Sequence, residues 1–134
     1  MIDHHTALIY TMLMTAAADR DITDAEMRTI GEIVRYLPVF SDYDAARLPQ
    51  AAQGCSKLMS DEDGLDDAFD MIKQALPAKL RETAYALACE VAASERQISQ
   101  ETLRLLELIC IELNVDRLSA AAIERGARAR HMTV

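Results

Sequence analysis

Glycine and proline are both scarce in this sequence, four and three residues among 134. Sandwiches and barrels need both residue types at their many turns. Their scarcity, beside abundant Ala, Leu, Met and Glu, therefore argues for a helical chain. The four glycines are scattered, which leaves no phosphate-cradling loop. Cysteine is odd in number and widely spaced, as Cys55, Cys89 and Cys110, with no Cys-x-x-Cys pair. A disulfide framework and a thiolate zinc site are thereby disfavoured, and the thiols read as small hydrophobes on helix faces. Basic residues are in deficit, 14 against 22 acids for a net charge of −8. A duplex binder needs a basic face to displace counterions, so no nucleic-acid partner is expected.

Long apolar runs are also lacking. The longest, Thr6 to Ala18, falls short of the roughly 18–20 residues that span a bilayer. Its flank, Met1-Ile2-Asp3-His4-His5, carries no Lys or Arg, which argues against a secretory leader. A cytoplasmic location is the expectation. Catalytic signatures are missing too. The three histidines lie at the chain ends, the serines read as caps, and there is no Glu-x-x-His pair of the diiron type. The chain is expected not to be an enzyme.

What is present is 51% hydrophobic residues at helical spacing, enough for a core in a single domain over 1–134. The pattern predicts an all-α bundle of about seven helices. The first runs from about Asp3 to Ala18, with Leu8, Ile9, Met12, Leu13 and Ala16 inside. The second opens at the capping box Thr23-x-x-Glu26, buries Met27, Ile30, Ile33, Val34 and Leu37, and stops at Pro38. The third is predicted over Asp42–Gln53, capped by Ser41 and closed by Gly54. Ser60 is expected to cap the fourth, with Leu65, Phe69, Ile72 and Leu76 inside. The fifth spans about Ala78 to Ser94 behind Pro77. Ser99 caps the sixth, with Leu103, Leu106, Ile109, Cys110 and Leu113 inside, and Asp116 caps the seventh, with Leu118, Ala122 and Ile123 inside.

The first hairpin recurs. At an offset of 76 residues Ala16-Ala17 matches Ala92-Ala93, Arg20 matches Arg96, Ile22 matches Ile98, Arg28 matches Arg104 and Ile33 matches Ile109. Thr23 and Ser99 match as caps, and Asp19 and Glu95 as acids of the turn. Each unit is a helix ending in small residues, an acidic turn, an isoleucine to plug the hairpin into the core, a hydroxyl cap and an amphipathic helix. Two such hairpins facing each other about a pseudo-twofold axis is the expected packing.

The turn Ala17-Ala18-Asp19-Arg20-Asp21-Ile22-Thr23-Asp24-Ala25-Glu26 resembles the signature of the TerB family of tellurite-resistance proteins. That signature reads alanine, aspartate, glycine, any residue, isoleucine, three more, glutamate. It is shared by the TerB-like domain of a membrane-anchored DnaJ-type co-chaperone. The resemblance covers essentially the whole chain and implies a divergent member, with Arg20 in place of the family glycine and Thr102 at the second glutamate position. It further implies an acidic cluster of Asp19, Asp21 and Glu26 near Glu95 and Glu101, serving a protein partner in a tellurite-resistance or stress-response setting.

Two other readings of the acids stay open. Asp19, Asp21 and Glu26 could ligate a divalent cation, since hard cations need converging carboxylate oxygens. Alternatively, Asp21 and Asp24 serve the helix dipole and Glu26 completes the cap. An EF-hand is excluded because its glycine position holds Asp24 and its closing glutamate position Ile30. Tyr36, Phe40 and Tyr43 around Pro38 are expected to pin a loop, and the methionines to fill core. Arg125, Arg128 and Arg130 suit the C-terminus of the last helix and leave peripheral membrane association open. So is a homodimer.

Overall fold

The computed structural model describes residues 1–95 and 97–134; Arg96, the expected counterpart of Arg20, lies outside the described residues. Among the described residues all regular structure is helical: α1 (His4–Ala16), α2 (Asp24–Tyr36), α3 (Leu48–Met59), α4 (Gly64–Ala75), α5 (Arg81–Ala93), α6 (Gln100–Glu112) and α7 (Arg117–Arg130), with short 3-10 turns before α3 and α5.

Helix α1 is the axis. Eleven of its thirteen residues are buried, as expected of a helix apolar on every side. Its two interior hydroxyls are satisfied within the helix, Thr11 Oγ1 donating to Ala7 O at 2.8 Å and Thr15 Oγ1 to Thr11 O at 2.9 Å. Helix α5 lies against it, and α3, α4, α2 and α6 complete the jacket. Ala84, Ala88 and Ala92 of α5 are all buried, so small residues let the two central helices approach closely.

The repeat reaches further than a hairpin. Helix α3 packs on α1 as α7 packs on α5. The 76-residue offset carries Leu48–Gly54 of α3 onto Glu124–Arg130 of α7. The bundle is two three-helix units, α1–α3 and α5–α7, joined by α4.

Several boundaries differ from expectation. The third helix does not run over Asp42–Gln53; the chain makes two 3-10 turns, Pro38–Phe40 and Ala45–Arg47, and α3 begins at Leu48. Pro49 explains the shift. It belongs in a first turn, where no intrahelical donor is lost, and would break a helix interior. Gly54 therefore sits inside α3 rather than ending it, and its bare Cα accommodates the Tyr10 hydroxyl, 2.7 Å from where a Cβ would stand. Ser60 does not cap α4. It closes α3, its hydroxyl donating to Lys57 O at 2.7 Å. Three expected core positions face out: Leu103 and Leu118 are exposed, as is Ala122, while Leu105, Ala120 and Ala127 are buried instead. Ile98 is likewise 40% exposed and plugs nothing.

The glycines make a paired test. Gly64 opens α4 against the end of α3, and an added Cβ would stand 2.3 Å from the Leu58 carbonyl oxygen. Gly31 lies inside α2 with nothing within 4 Å. Gly31→Ala is expected to stabilise by about 0.5–1 kcal/mol through helix propensity. Gly64→Ala is expected to destabilise by about 1–3 kcal/mol, because backbone must move. Urea unfolding of both variants checks the pair, and equal shifts would refute this packing.

Candidate functional site

The α1–α2 turn is built by its cap. Thr23 Oγ1 accepts from Glu26 N at 3.1 Å, and Glu26 Oε1 accepts from Thr23 N at 2.9 Å. This capping box buries the Glu26 side chain and sets the turn Ala17–Ile22 above it. Arg20 then reaches over the turn. One guanidinium nitrogen donates to Asp19 Oδ1 at 3.0 Å, and the other donates to Glu95 Oε2 at 3.0 Å and stands 3.9 Å from Glu26 Oε1. Carboxylates of both units thus converge on one cation. Burial works to lower the Arg20 pKa, but Asp19, Glu26 and Glu95 together raise it further. The Asp19 carboxyl is held below its ordinary value, first by the Ser99 hydroxyl of the other unit and then by Arg20.

The five acidic residues of interest are therefore divided. Asp19, Glu26 and Glu95 are gathered around Arg20. Asp21 and Glu101 line a separate cleft. Among the described residues no three His, Cys, Asp or Glu side chains are grouped to hold a metal ion. The residue missed by sequence reasoning was Arg20, read only as a replacement for glycine. Its signal was there: an arginine between two aspartates, facing an acid of the duplicated turn.

The cleft has a volume of about 900 Å³. Its floor is apolar, with Leu13, Met14, Cys55 and Leu105 all buried. Its mouth carries the exposed polar residues Asp21, Gln53, Ser56, Ser60, Glu101 and Arg104. A second cleft of about 680 Å³ lies between α5, α6 and α7. The two are related by the repeat. Leu13, Ala17 and Ile22 line the first where Cys89, Ala93 and Ile98 line the second. Helix α3 walls the first as α7 walls the second, and α6 is shared. Glu101, Arg104, Leu105 and Leu108 face the first cleft, whereas Leu103, Leu106 and Glu107 face the second.

In the second cleft the buried Tyr85 hydroxyl donates to Glu124 Oε2 at 2.5 Å. Burial, and then this carboxylate, push the phenol well above its usual range. Burial also pushes the Cys89 thiol up to about 12 and the Cys55 thiol of the first cleft up to about 11. All three cysteines are free, and both cleft thiols are poor nucleophiles.

The remaining candidates have structural roles. His5 is buried, and its Nε2 lies 3.0 Å from both Val39 O and Asp42 Oδ1, so that nitrogen carries the proton. Its ring stands 5.7 Å from Phe40 and 5.2 Å from Tyr43. This cluster clamps the α2–α3 connection onto α1, as expected of Phe40 and Tyr43, while Tyr36 is exposed outside it. Arg130 and His131 pair with Glu90 of α5. Met12 and Met14 are core. Among the described residues no helix is long and apolar enough to cross a membrane.

Because the folded Asp19 pKa is depressed, its contribution to stability is present above the ordinary value of 3.8 and is lost as pH falls through the lower folded value. A carboxyl-carbon NMR titration is expected to place the Asp19 midpoint below 3.8. Ser99→Ala and Arg20→Met should each return it toward that value. An Asp19 midpoint unmoved by Arg20→Met would contradict the bridge between units. Arg20→Met should also lower the melting temperature at low salt, with the difference shrinking as salt screens the cluster.

No protein-family model, curated protein or solved structure matches the chain.

Proposed function

We propose that the chain is a TerB-like cytoplasmic interaction module that docks a protein partner in the groove between its two units, in a tellurite-resistance or stress-response setting. The observation that carries this reading is the cleft of about 900 Å³ walled by both units, apolar at its floor and rimmed by Asp21 and Glu101. A buried apolar centre with a charged rim is the anatomy of a protein-binding surface. Arg20, by tying Asp19 and Glu26 of one unit to Glu95 of the other, holds the two walls in register. Without a nucleophile set beside a base, the site is suited to binding rather than turnover. The family setting rests on the acidic turn and the duplication alone.

The test is crosslinking inside the native host. A photoreactive residue at Gln53, exposed at the cleft mouth, is expected to give discrete protein adducts, and one at Glu32, exposed on α2, to give none. Equal patterns from both positions would remove the docking reading. Unchanged growth of a deletion strain in tellurite would remove the tellurite setting while leaving the module.

A further inference from the structure

The two clefts share the repeat-related wall positions described above but differ in the charge of their lining, and that difference points to an occupant. In the second cleft the acids Glu95, Glu107 and Glu124 are accompanied by Arg125, Arg128 and His131; Glu124, Arg125 and Arg128 come from α7 and His131 is its C-cap. Helix α7 is itself a cationic amphipathic helix. It presents Ala120, Ile123 and Ala127 inward, carries arginines outward, and is fastened by Arg130 to Glu90. In the first cleft the equivalent wall is α3, whose lining residues are Ala52, Gln53, Cys55, Ser56, Met59 and Ser60, without a cation. Ala52 stands at the offset position of Arg128.

The mouth of the first cleft is correspondingly acidic. Asp21 and Glu101 line it, and Asp61, Glu62 and Asp63 are exposed on the α3–α4 turn, between the lining residues Ser60 and Leu65. Among the described residues none of these five is in an ion pair. The one basic lining residue, Arg104, stands 3.5 Å from Glu107. The first cleft thus has an apolar floor and acids at its mouth, with Arg104 as the one basic residue in its lining.

Resting on the docking reading above, we propose that the first cleft receives a cationic amphipathic helix from the partner. Apolar side chains of that helix would fill the space over Leu13, Met14 and Leu105, and its Lys or Arg side chains would meet Asp21, Glu101 and the Asp61–Asp63 turn. This is helix-in-groove recognition with the charge pattern that α7 shows within the chain itself.

The probe is a synthetic amphipathic peptide of Leu and Lys, about 18 residues long so that it can form a stable helix on binding. It is titrated into the isotopically labelled full chain and followed by amide NMR. Saturable shifts are expected at Ala52, Ser56, Met59, Leu65, Leu105 and Leu108. Affinity should fall at least about fivefold between roughly 50 and 500 mM salt. A Leu and Glu peptide of the same pattern should not bind. Ala52→Arg, which copies Arg128, and the exposed Ser56→Arg should each weaken binding about tenfold or more, a loss of about 1.4 kcal/mol. Using both variants keeps the test valid if the half-buried Ala52 site perturbs folding. Shifts spread over the whole acidic surface, equal binding of the Leu and Glu peptide, or indifference to both substitutions would overturn the proposal. Closure of the cleft by a second copy would overturn it too, read as a concentration-dependent mass without peptide, as would cleft shifts induced by anionic vesicles. If the peptide fails while Gln53 still crosslinks a partner, the occupant is wrong and the docking module stands.

Discussion

The structure depends on the burial of α1. A helix with eleven buried residues of thirteen has no face to give to water, so every side must be covered by protein. That requirement accounts for the jacket of α2 to α6 around it and for the strongly one-sided character of α2, α3 and α4. It also explains the clamp at its start. His5 lies on the buried axis, and its polar nitrogen must find acceptors there. The α2–α3 connection folds back to supply Val39 O and Asp42. A loop conformation is thus decided by the hydrogen-bond demand of a single side chain two turns from the nearest cleft residue.

The duplication was the most legible feature, because it survives as matching roles even where residues differ. The hydroxyl caps Thr23 and Ser99 and the approach of Asp19 to Glu95 could be read from it, although Ile109 is buried where its match Ile33 is only half-buried. The third helix could not, since Ser41-Asp42 imitates a cap and only Pro49 argues otherwise. Helix α7 was misread for a different reason. Its buried face is made of Ala120 and Ala127, small residues that allow close approach to α5, with Ile123 half-buried beside them, whereas Leu118 is 79% exposed. Pattern reading weights size, and here packing distance decided the face. The division of the acids was hidden for a third reason: a side chain as long as arginine can move the electrostatic centre of a turn away from the acids that define it in sequence.

Arg20 changes what the turn can do. Where a glycine would leave three carboxylates facing one another, the guanidinium supplies the opposite charge from within the chain. Charge that is satisfied internally contributes to register between the units and little to attraction at a distance. The carboxylates that do project a field are those at the cleft mouth. The acids that join the units and the acids of the proposed docking cleft are therefore different ones, although the sequence places them within a few residues of each other.

The buried thiols have a consequence of their own. Cys55 lies in one cleft and Cys89 in the other, each 4% exposed and each held as the neutral thiol by its surroundings. A thiol-reactive reagent can reach either only when the wall above it lifts. The rate of labelling at each of these two sulfurs is then a clock for the breathing of its own half of the bundle, in the manner of amide exchange, once the less buried Cys110 of α6 has been blocked. Cys55 and Cys89 thus give the chain a native means to time its two units separately.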